Sequence, residues 1–78
     1  MPTIRALSNG YRFYFYSFDC NEPKHVHIQK DNMICKFWLD PVTLSKNHGF
    51  SSKELNRIRK VVKSNLSLII EAWHEHCG

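Results

Sequence analysis

HVHIQKDNMICKFWL, residues His25–Leu39, decides how this chain folds. Two runs of alternating side chains flank Asp31-Asn32. A two-residue turn at that pair fixes one register, in which Lys30 opposes Met33, Ile28 opposes Cys35 and Val26 opposes Phe37. In the same register His27 opposes Lys36 and His25 opposes Trp38. Successive strand residues point to opposite faces. One face is therefore Val26, Ile28, Cys35, Phe37 and Leu39, which reads as core. The other carries His25, His27, Lys36 and Trp38, with Gln29 and Ile34. A slip of one residue would break this sorting, so the register is a definite expectation.

Further strands are expected before this hairpin. Thr3 to Leu7 reads as a short strand, and Ser8-Asn9-Gly10 carries the Asn-Gly hairpin signal. Tyr11 to Phe18, YRFYFYSF, is rich in strand-favouring aromatics. Its two faces, Tyr11/Phe13/Phe15 and Arg12/Tyr14/Tyr16/Phe18, are both partly apolar, as for a central strand covered on two sides. The turn formers of Asp19 to Pro23 then break the pattern. After the hairpin, Asp40-Pro41 ends the strand, Val42-Thr43-Leu44 adds a short one, and Lys46 to Gly49 reads as loop.

The C-terminal third reads as one long helix. Ser51 as N-cap with Glu54 three residues later is a capping box, and Phe50 and Leu55 occupy the hydrophobic-staple positions. Leu55, Ile58, Val62, Leu66, Ile69 and Trp73 step by three or four along one stripe. Val61, Leu68 and Ala72 make a second apolar line, either a partner surface or one covered by the N-terminal strand. The fold class expected is α+β: one domain over residues 1–78, with an antiparallel sheet of about four strands in residues 1–44 packed on a helix in residues 51–77.

With 78 residues, the chain is near the lower limit for a self-sufficient core. The net charge of +4 permits nucleic acid or an acidic partner and demands neither. Cys20, Cys35 and Cys77 are odd in number and widely spaced, with no CxxC and no signal peptide ahead of the first strand-like run. They read as reduced thiols in a cytoplasmic protein. No apolar run approaches the roughly 20 residues that span a bilayer.

Three constellations could carry chemistry. On the polar hairpin face, His25 and His27 could share a metal with Asp19, Glu22 or His48, although Lys36 beside His27 disfavours a cation and no metal or other cofactor is assigned. The same face suits RNA: Lys36 offers charge, and Trp38 and Tyr16 offer stacking plates. A histidine pair there could serve as general base and acid in metal-independent RNA cleavage, with Lys36 stabilising the transition state. A polar surface or an interface with another chain is the more frequent origin of such a face. The second constellation is Lys53, Arg57 and Lys60, which share the helix face opposite the core stripe, at about 100° per residue, and could contact phosphates. The third is His74 and His76, which fall on different faces and read as helix C-terminal groups that complement the dipole.

The runs YRFYFYSFDCNEPKHVHI, KFWLDPV, NHGFSSKELNRI and EAWHEHCG together resemble the bacterial domain-of-unknown-function 4160 family, over nearly the whole chain. That family's most specific motif has the form E-P-P-H-V-H. Glu22, Pro23, His25, Val26 and His27 match it, while Lys24 replaces the second proline, which loosens the approach to the strand. The run from Lys36 to Pro41 and the closing Trp73 match without change. The resemblance implies a small prokaryotic cytosolic protein, the toxin-like half of a type II toxin–antitoxin module. Its implied partner is a small antitoxin-like protein of the domain-of-unknown-function 2442 type. No catalytic residues come with the resemblance. The function expected is therefore a toxin-like component acting on RNA or the translation machinery through His25, His27, Lys36, Trp38 and Tyr16. The alternatives are a non-enzymatic interaction module, whose sheet face binds a partner or a second copy of the chain, and a metal-binding domain.

Overall fold

A computed structural model describes residues 10–78. The expected strand at Thr3–Leu7 and most of the Asn-Gly turn lie outside the described residues. Four antiparallel strands follow one another across a single sheet: β1 (Arg12–Tyr14), β2 (His25–Lys30), β3 (Met33–Leu39) and β4 (Val42–His48). The β2–β3 register is the expected one at every position, from Lys30 opposite Met33 to His25 opposite Trp38. Asp31 takes a left-handed φ of 55°, a conformation that a short Asp side chain tolerates.

Two expectations about the strands are corrected. β1 is only three residues long, because the chain leaves the sheet after Tyr14. The segment after Asp40-Pro41 is a full strand of seven residues in place of a short strand and a loop. β4 carries a bulge: Lys36 pairs with Lys46 but Phe37 pairs with Leu44, so Ser45 is the extra residue. Val42 and Leu44 oppose Leu39 and Phe37 on the core face. Without the bulge Lys46 would share that face. With it, Lys46 moves to the polar face beside Lys36.

The expected single helix is two, α1 (Ser52–Ser64) and α2 (Leu66–Cys77). Asn65, between them, has φ −118° and ψ 22°, outside the helical region. Its side-chain amide donates to the Val61 carbonyl at 2.9 Å, and its backbone N–H goes to the same carbonyl at 3.1 Å. Such local back-bonding by Asn competes with the helix ladder. Only one residue leaves the helix, so the apolar stripe continues across the break: Ile58, Val62, Ile69 and Trp73 are all buried. Each of these stabilises the fold by roughly 1.5–3 kcal/mol through burial. At the start of α1 the Ser51 hydroxyl accepts the Glu54 N–H at 3.2 Å. The reciprocal half of the capping box does not form, because the Glu54 carboxylate accepts the Tyr11 hydroxyl at 3.2 Å and lies 3.8 Å from the Lys30 ammonium.

The helices cover one face of the sheet, where Phe13, Val26, Ile28, Cys35, Phe37 and Leu39 meet Ile58, Val62 and Ile69. Of the second apolar line, Val61 and Ala72 are half-buried against this core and Leu68 is 39% exposed. The opposite face of the sheet carries the polar residues.

Candidate functional site

Register places one row of side chains across the polar face: Tyr14 opposite His27, His27 opposite Lys36, and Lys36 opposite Lys46. Between β1 and β2 the chain makes one 3-10 turn, Asp19–Asn21, which folds back over this row. The turn is tied down in three ways. The Tyr16 N–H donates to Asp19 Oδ2 at 2.7 Å, His76 Nε2 donates to the Tyr16 carbonyl at 2.9 Å, and Cys20 is joined to Cys77 by a disulfide. The expectation of three reduced thiols is thereby corrected: Cys35 alone is free, and it is buried. Cys20 and Cys77 are 57 residues apart in sequence, and only the docking of α2 onto the turn brings them together. The inference from reduced thiols to a cytoplasmic location loses its premise with them.

Asp19 is the centre of the site. It is 3% exposed, and both of its oxygens face imidazoles. Oδ1 lies 3.1 Å from His25 Nε2, and Oδ2 lies 3.1 Å from His27 Nε2. Burial pushes the Asp19 carboxyl up, but the Tyr16 N–H and the two imidazoles together outweigh it and hold the carboxyl below its usual value. Burial likewise lowers His27, more than Asp19 raises it, so His27 is neutral at pH 7 and donates its Nε2–H to Asp19. His25 Nδ1 is 2.8 Å from the Pro23 carbonyl, which can only accept, so this nitrogen carries a proton.

The structure separates the two histidines by access. His25 is 0% exposed, packed between Trp38, His27 and Trp73 of α2. His27 lines an open cleft of about 390 Å³ together with Asp19, Glu22, Lys36, Lys46 and His48, with Tyr16 and Phe18 at its side. An acid–base pair formed by His25 and His27 on one phosphate needs both rings at the ligand, and His25 is sealed from it. Lys36 also lines the cleft. Its ammonium is 2.7 Å from Glu22 Oε1 and 4.5 Å from the Trp38 ring centroid. Its hydrogen bond to Glu22 holds that carboxyl below the ordinary range.

Tyr16 and Trp38 have different places. Tyr16 lines the cleft and stacks on Phe18, with rings 5.7 Å apart and nearly parallel. Trp38 is half-buried and serves as a wall for His25 and Lys36. Lys53, Arg57 and Lys60 are exposed on α1, whose other side lies on the core face of the sheet. They therefore point away from the cleft, and the two basic surfaces lie on opposite sides of the sheet. Residues that sequence reasoning passed over are Phe18, which is 67% exposed at the cleft, and Lys46. Alternation puts Lys46 on the core face with Val42 and Leu44, so no sequence signal marked it for the cleft.

These features make an α+β protein with helices on one sheet face and, on the other, an open cleft lined by charged, aromatic and apolar side chains. The chain belongs to the family described as Domain of unknown function (DUF4160), whose model matches residues 10–74. No curated protein and no solved structure matches the chain. Among the described residues, no helix is long and apolar enough to cross a membrane.

Proposed function

We propose that this chain is the toxin-like half of a two-protein module and that it engages single-stranded RNA, free or within the translation machinery, through the His27/Lys36/Lys46 cleft. The observation that carries this reading is the pairing of Lys36 with Lys46 directly across two strands, beside the stacked rings of Tyr16 and Phe18. Like charges placed opposite one another destabilise a sheet, so local folding gives no reason for the pair. A phosphate between the two ammonium groups turns the repulsion into binding, and an exposed aromatic plate beside it accepts an unstacked base. Lys46 makes no ion pair among the described residues, and Glu22 is the exchangeable partner of Lys36. The partner under this reading is the small antitoxin-like protein that the family resemblance implies.

The test is fluorescence anisotropy with a short labelled single-stranded RNA and its duplex, at several salt concentrations. The single strand is expected to bind more tightly. Lys46→Glu should weaken binding about 10-fold or more and reduce the salt slope, and Phe18→Ala should weaken it at all salt concentrations. Wild-type affinity in both variants, or no binding of the single strand at low salt, overturns the reading. In cells, growth arrest on expression of the chain alone should disappear with Lys46→Glu.

A second reading has its own observation. Phe18 is 67% exposed and Leu68 39%, the two large hydrophobic side chains left most open among the described residues. An interaction module would bury Phe18 against a protein partner or a second copy. On that reading Phe18→Ala abolishes co-purification of the partner or self-association in light scattering, while the lysine variants do neither.

A further inference from the structure

We infer that Asp19, His25 and His27 form a binding site for one divalent transition-metal ion of the zinc type. This inference stands apart from the RNA reading.

The first observation is the donor set. One oxygen of Asp19 and one ring nitrogen from each histidine lie within 4.8 Å of one another. The closest approaches, 3.1 Å from each Nε2 to an Asp19 oxygen, are near the edge of a tetrahedral zinc shell, about 3.3 Å for bonds of about 2.0–2.1 Å. Two imidazoles and one carboxylate select zinc and its first-row neighbours over calcium or magnesium, which take oxygen ligands.

The second observation is independent of spacing. His25 Nε2 is completely buried and makes no hydrogen bond. Asp19 Oδ1 is 3.1 Å away but off the line that an N–H would take, so proximity does not satisfy this nitrogen. The Nδ1–H of the ring is fixed by the Pro23 carbonyl. Nε2, the ring's other nitrogen, is left without a partner beside a carboxylate. An unpartnered ring nitrogen is unfavourable in a dry site, and a cation bound by it and by the carboxylate satisfies both. An Nδ1–H held by a backbone carbonyl is also how proteins orient a ligating imidazole.

His27 accommodates the ion without net proton loss. Its Nε2 proton moves to Nδ1 and its bond to Asp19 is replaced by coordination. The nearby positive charge is muted, since the Lys36 ammonium is turned to Glu22 at 2.7 Å. Three protein ligands leave a fourth position free, as in catalytic zinc sites. Because Asp19 and His27 line the cleft and His25 does not, that position opens into it.

The test uses the full chain, freed of metal by chelator and dialysed without reductant. The Cys20–Cys77 disulfide then stays closed and those thiols cannot bind the probe. Titration with zinc chloride is expected to give one ion per chain. Cobalt(II), as a spectroscopic substitute, should give visible ligand-field bands and shift the imidazole proton resonances of His25 and His27. Asp19→Asn and His27→Gln should each weaken zinc binding at least as much as loss of an outer-shell partner does, about 10–100-fold. His48→Ala and His74→Ala should leave it unchanged. The resonance shifts are read on the wild-type chain, so the conclusion does not depend on any variant folding. No stoichiometric zinc binding, unchanged affinity in both ligand variants, or cobalt shifts confined to His48, His74 or His76 would each overturn the inference.

Discussion

Reducing the Cys20–Cys77 disulfide should remove a large part of the stability of this fold. The bond closes a loop of 57 residues, most of the chain. In the chain-entropy treatment, a loop of this length restricts the unfolded ensemble by about 14 cal/mol/K, or about 4 kcal/mol at 25 °C. A chain of 78 residues has roughly 4–12 kcal/mol in all, from about 0.05–0.15 kcal/mol per residue. Reduction therefore costs between a third and the whole of the margin. The assay is urea unfolding followed by tryptophan fluorescence, with and without a phosphine reductant. At a slope of about 1–2 kcal/mol/M the midpoint should fall by about 2–4 M. Trp73 packs near the bridged end of α2, so its emission reports the same transition. The double variant Cys20→Ser/Cys77→Ser should match the reduced protein and ignore the reductant. Equal midpoints for oxidised and reduced wild type, or a double variant that still responds, would refute the reasoning. The loss reaches the site as well, since Asp19 adjoins Cys20 and is positioned by the same turn.

The remaining predictions address the cap, the free thiol and the cleft. Ser51→Ala should lose about 1 kcal/mol in the same unfolding assay, and Ser51→Asp should restore it, because only a side-chain oxygen there satisfies the Glu54 N–H. Burial pushes the Cys35 thiol from 9.0 up to about 12, so the folded state holds its proton longer than the unfolded chain. Stability from this group is full below pH 9 and falls by about 1.4 kcal/mol per pH unit above it; Cys35→Ala should lack that part of the alkaline slope, and an identical slope would contradict the assignment. Glu22→Gln releases the Lys36 ammonium and should tighten binding of single-stranded RNA several-fold at low salt, whereas unchanged or weaker binding would place the anion elsewhere.

The hairpin was legible in the sequence because three signals agreed there: period-two alternation, a two-residue turn and a core face without a charge. The same holds for the start of α1 and for the stripe from Ile58 to Trp73. What escaped was non-local or non-periodic. The bulge at Ser45 is one residue of mismatch, invisible to alternation over so short a strand, yet it decides which face receives Lys46. The break at Asn65 leaves the apolar stripe in phase, so periodicity could not reveal it. The Cys20–Cys77 bond depends on where the end of α2 comes to rest, a tertiary fact that spacing along the chain does not contain. The polar face was correctly sorted by register, but its accessibility was not. His25 and His27 share a strand face, and only the return of the Asp19 turn and the approach of Trp73 seal one of them.

That asymmetry argues for a function at this face. A sheet selected for stability alone gains nothing by pairing two lysines across strands. It gains still less from a buried imidazole nitrogen with no hydrogen bond, which costs about 1–3 kcal/mol. Both costs fall on one side of the sheet, within a few residues of each other, while the other side is packed without such conflicts. Under the two proposals a different charge would relieve each conflict: an anion at Lys36 and Lys46, and a cation bound by His25 and Asp19. A metal ion held by Asp19 and His27 at the cleft and an anion held by the lysines beside it would also neutralise each other.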